Sequence, residues 1–175
     1  DPCDAYEIEQ MVPAIADYPG PVYTRILRGN VAKVLDEYDY RFELGRSALL
    51  RGGRNVLIVS TGFMTMRALD TAKELQADGI DVAVLHVPTI KPLDETGILR
   101  EVRRTGRLVV TAENHSIIGG LGEAVASLIG RSGMGVELRQ IALPDRFLDA
   151  GTLGVLQHRY GISRAAMCES IKRWL

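Results

Sequence analysis

Only two cysteines occur in the chain, Cys3 and Cys168, at opposite ends and outside any Cys-x-x-Cys spacing. Neither a zinc site nor a dithiol redox motif is written there, and the usage fits a reducing, cytoplasmic compartment. Long apolar runs are lacking too: a stretch such as Asn55 to Ser60 falls far short of the roughly 20 residues that cross a bilayer, so no membrane span is expected. Charge of one sign is missing, with 21 Lys and Arg against 22 Asp and Glu and the basic residues scattered. That excludes a dedicated nucleic-acid or acidic-membrane binder, which clusters its cations. The acidic start, Asp1 to Asp4, has neither the basic nor the apolar region of an export signal. No internal repeat or low-complexity segment competes with a globular reading.

What is there is enough for one well-buried core plus a small extra segment: 175 residues, 46% apolar and 25% charged. Tyr6, Ile8, Met11, Val12 and Ile15 recur at helical spacing, predicting a helix from Ala5 to Ala16 that stops before Tyr18-Pro19-Gly20-Pro21. Val22 to Arg28 is β-branched and aromatic and runs into Gly29-Asn30, which predicts a strand. One helix and one strand close no core, so residues 1–35 read as the tail of another unit and hint at a remnant of a longer chain. Residues 36–53 read as a polar linker with a possible strand at Tyr40 to Leu44. From Arg54 onward strands and helices alternate. Strands are expected at Val56–Ser60, Val82–Val87, Arg107–Ala112 and Val136–Ile141. Helices are expected at Met64–Ala77, from Pro92 to about Arg104, and over Gly122–Ile129, Thr152–Arg159 and Ser163–Arg173. Short loops between such units demand crossovers and a mainly parallel sheet covered on both faces, an α/β architecture of three layers.

Ligands of an open parallel sheet collect beyond the C-terminal strand ends, so three loops are candidates. Thr61-Gly62-Phe63 opens a helix whose N–H groups could hold an anion, or is a tight turn capped by Thr61. Thr89-Ile90-Lys91-Pro92-Leu93-Asp94 places Asp94 to cap the next helix, with Lys91 either solvated or facing a phosphate or partner. Glu113-Asn114-His115 precedes Gly119, Gly120 and Gly122, which open another helix. Glu113 and His115 could form an acid–base pair, or a polar interface cluster. The glycine spacing is not the dinucleotide fingerprint. His86, inside an apolar strand, reads as a hydrogen-bonded core histidine, and three dispersed histidines make no metal case. Arg28 closes the early strand, suited to a bidentate phosphate contact or simply solvated.

Taken together, Asp4-Ala5-Tyr6-Glu7, Tyr18-Pro19-Gly20-Pro21-Val22-Tyr23, Leu27-Arg28-Gly29, Thr89 to Asp94 and Glu113 to Gly122 closely resemble the transketolase family, in order and spacing and over essentially the whole chain. The resemblance implies the tail of a pyrimidine-binding domain (residues 1–35), a linker (36–53) and a C-terminal domain with a mixed sheet of about five strands (54–175). It implies thiamine diphosphate and magnesium in the complete enzyme, with none expected on this chain alone. Partners would be a second copy or the missing N-terminal half, and sugar phosphates as substrates, with no nucleic acid and no membrane. Arg28 would bind the substrate's phosphate, and the stretch around His115 would lie near a dimer interface. No catalytic residue and no metal ligand is assigned to this sequence. Deoxyxylulose phosphate synthase and the beta subunit of 2-oxo acid dehydrogenases share the same domain, and a stand-alone anion-binding or assembly module is the reading from another class.

Overall fold

The computed structural model describes residues 1–104 and 106–175. Five strands form one sheet: β1 (Ala48–Arg51), β2 (Val56–Ser60), β3 (Val82–His86), β4 (Leu108–Ser116) and β5 (Leu138–Leu143). Their spatial order is β1-β3-β2-β4-β5. β1 runs antiparallel to β3, and every other neighbouring pair is parallel. The sheet is therefore mixed and mostly parallel, as expected.

β2 and β3 are buried at every position, the signature of strands covered on both faces. Val56 and Ile58 point to one side, where α2 (Phe63–Ala77) and α6 (Arg164–Trp174) supply Met64, Leu69, Leu75, Met167 and Ile171. Leu57 and Val59 point to the other, against Ile98 of α3 (Glu95–Val102) and Leu121, Val125 and Leu128 of α4 (Leu121–Ser132). The short α5 (Leu153–Arg159) precedes α6. These are the three layers. Asp94 does cap α3, accepting the Gly97 N–H at 3.0 Å, and it also accepts the Ser47 N–H and hydroxyl.

The first 35 residues differ from the expectation. Helix α1 forms over Ala5–Ala16, with Asp4 capping its start through the Glu7 N–H at 3.0 Å. Residues 22–28 take up no strand. β-branched residues favour a ladder only where a neighbouring strand offers partners, and here Tyr23, Ile26 and Leu27 face outward instead. Tyr40 to Leu44 is likewise not a strand. The strand of this region is β1, which joins the sheet edge from inside the stretch read as a linker. Strand β4 runs on to Ser116, so Glu113 and His115 belong to a strand end, not to a loop.

Candidate functional site

The chain leaves β2 toward β3 on one side and returns across it to β4 on the other, so the order of the sheet reverses between β2 and β4. At such a reversal the two following loops diverge and open a crevice beyond the C-terminal strand ends. Here the crevice is a cavity of about 890 Å³ lined by Thr61 after β2, Pro88 to Pro92 after β3, and Glu113, His115 and Gly119 to Leu121 at the end of β4. Met11 and Ile15 of α1 and the segment around Tyr18 to Arg25 form the opposite wall.

The structure brings Glu113 and the glycines together. Glu113 is buried, and its two carboxylate oxygens accept the N–H groups of Leu121 and Gly122, each at 2.7 Å. This carboxylate from a strand caps α4 and meets the positive end of its dipole. The first turn of α4 is therefore taken from within, which removes the anion site considered for these glycines. A Cβ at residue 120 would fall 1.9 Å from Glu113 Oε2, so glycine is required there for the approach. Gly119 forms the turn before it, its N–H donating to Glu123 at 2.8 Å, and Gly122 is buried on the carboxylate.

His115 is exposed, with Nδ1 3.2 Å from the Ser116 carbonyl oxygen. Both Glu113 oxygens are committed to α4, so the two residues make no acid–base pair. Arg28 is exposed and does not line the cavity. Arg25 does, paired with Asp1 at 2.7 Å. Thr61, weighed as a helix cap, does not cap: α2 begins at Phe63 behind Gly62, without a side-chain cap, and the buried Thr61 Oγ1 has no hydrogen-bond partner among the described residues.

One buried cluster was not foreseen. Glu7 and His86 are both fully buried, with Nε2 3.0 and 3.1 Å from the two carboxylate oxygens. Nδ1 lies 2.7 Å from Thr65 Oγ1, which in turn meets Ser60 Oγ at 3.0 Å. Glu7 also accepts the Cys3 N–H at 2.6 Å and the Tyr40 hydroxyl. Burial alone would push the Glu7 carboxyl up, but His86, Tyr40 and the Cys3 N–H together hold it below the usual glutamate range. An Nε2–H donated to Glu7, with Nδ1 accepting from Thr65, satisfies every member. The sequence held a signal: a lone histidine in an apolar strand needs a polar partner, and Glu7 lies one turn before the buried Met11 on α1.

No three of His, Cys, Asp and Glu converge as metal ligands among the described residues. Thiamine diphosphate with a divalent metal would ask for a cluster of acidic oxygen ligands, and no such cluster is present among the described residues. The residues present do not fit that group. No helix of the described residues is long and apolar enough to cross a membrane.

The family described as transketolase, C-terminal domain, matches residues 45–167. An uncharacterized transketolase family protein of Sinorhizobium fredii is 63% identical over the full chain, which covers 51% of that protein. A 6-deoxy-6-sulfo-D-fructose transketolase subunit of a Clostridium species is 41% identical over 93% of the chain and 50% of the subunit. A solved structure, a split-gene transketolase described as an inactive beta4 tetramer, superposes with a TM-score of 0.89 at 37% identity, covering 98% of this chain and 55% of that one. The chain spans about half the length of the relatives it matches.

Proposed function

The chain belongs to the transketolase C-terminal domain family, and on that premise we propose that it is the C-terminal part of a thiamine-diphosphate-dependent transketolase, which moves a two-carbon ketol unit between sugar phosphates. The observation that carries this is the alignment along the whole chain to half of a longer transketolase family protein at 63% identity. Residues 1–35 belong in this reading to the domain that precedes them, and the C-terminal domain is the sheet that β1 begins. The outward-facing Val22, Tyr23 and Ile26 fit a segment whose strand neighbours lie in the missing portion.

The cofactor, with magnesium, supplies the carbanion chemistry of the complete enzyme and is held by the missing portion. What this chain contributes is positioning and assembly. Arg28, exposed at the end of the early segment, would anchor the phosphate of the sugar substrate by a bidentate contact and so orient it. The likeness to a beta4 tetramer of a split transketolase supports self-association of this half and inactivity without its partner.

The test is reconstitution. The chain alone, given thiamine diphosphate and magnesium, is expected to bind no cofactor by calorimetry and to transfer no ketol unit. Together with its N-terminal half it is expected to do so with phosphorylated sugars. In the assembled enzyme Arg28→Ala should raise KM for phosphorylated sugars far more than for unphosphorylated ones. Tight cofactor binding by the chain alone would overturn the division of labour, and an equal effect of Arg28→Ala on both sugar classes would overturn the phosphate role.

A further inference from the structure

We draw no further inference here: the strongest candidate, the exposed apolar surface patch of Phe147, Leu148, Leu153 and Val155 on the turn after β5 and the start of α5, carries nothing because nothing in the structure shows what covers it.

Discussion

Replacing Glu7 tests whether α1 is held to the sheet by its buried carboxylate. In Glu7→Ala the His86 Nε2–H, the Cys3 N–H and the Tyr40 hydroxyl all lose their acceptor in a place that water does not reach. An unsatisfied buried donor costs about 1–3 kcal/mol, and the three are coupled, so they do not simply add. Removing one partner of a buried pair costs about 3–5 kcal/mol, and that is the expected loss for Glu7→Ala. Glu7→Gln keeps the shape and one acceptor oxygen but turns an NH₂ toward the donors, so about 1–3 kcal/mol is expected. Urea unfolding followed by far-ultraviolet circular dichroism measures both. A pH series adds a second reading. Because the folded Glu7 carboxyl lies below its ordinary value, its contribution is full above about pH 4.3 and is lost as the pH falls through the folded value. Glu7→Gln should flatten that part of the acid limb. A loss of less than about 1 kcal/mol in Glu7→Ala, below the cost of a single orphaned donor, would refute the reasoning.

Two glycines of one helical region should respond with opposite signs. Gly120→Ala drives a methyl into the Glu113 carboxylate and should lower the melting temperature clearly, by displacing a cap of two charge-assisted bonds worth about 1.5–3 kcal/mol each. Gly130→Ala, inside α4 with open space around its Cβ, should raise stability by about 0.5–1 kcal/mol, read by the same melts. Cys168 is buried, which pushes its thiol up to about 11, and the Cys3 thiol is pushed up further still. Neither should react with a thiol reagent at about pH 8 until the chain is unfolded, whereas fast labelling of native protein would contradict the burial.

The layered sheet was legible because its strands obey local rules. Val56 to Val59 and Val82 to Leu85 are unbroken apolar runs, and burial on both faces is what such runs require. α1 was bounded correctly by the helical spacing of Tyr6, Ile8, Met11, Val12 and Ile15 and by Tyr18-Pro19-Gly20-Pro21. Where pairing decides, the sequence was silent. Val22 to Arg28 has strand propensity but no neighbour in this chain, while Ala48 to Arg51 is short and unremarkable in composition yet finds β3 beside it. The site shows the same division. The glycines around Gly120 pointed to a close approach, but not to the carboxylate that makes it, because Glu113 and Gly120 meet only when β4 runs on to Ser116. Glu7 escaped notice because a glutamate on a helix ordinarily marks the wet face, and its partner lies 79 residues away. Thr61 was weighed as a cap from its place before α2, while its buried hydroxyl caps nothing and has no hydrogen-bond partner among the described residues.

The breaks in register at the two outer ladders, between Leu49 and Arg51 in β1 and between Ala112 and Ser116 in β4 where it pairs with β5, bear on how copies of this fold can meet. An unbroken outer strand is an invitation to further strands, and through them to fibrils. Here one edge strand is four residues long and kinked, and the ladder at the other edge is interrupted near its end, so growth of the sheet from molecule to molecule is discouraged. Exposed apolar side chains such as Phe147, Leu148 and Leu153 lie outside the strands, so a contact made through them would not extend the sheet.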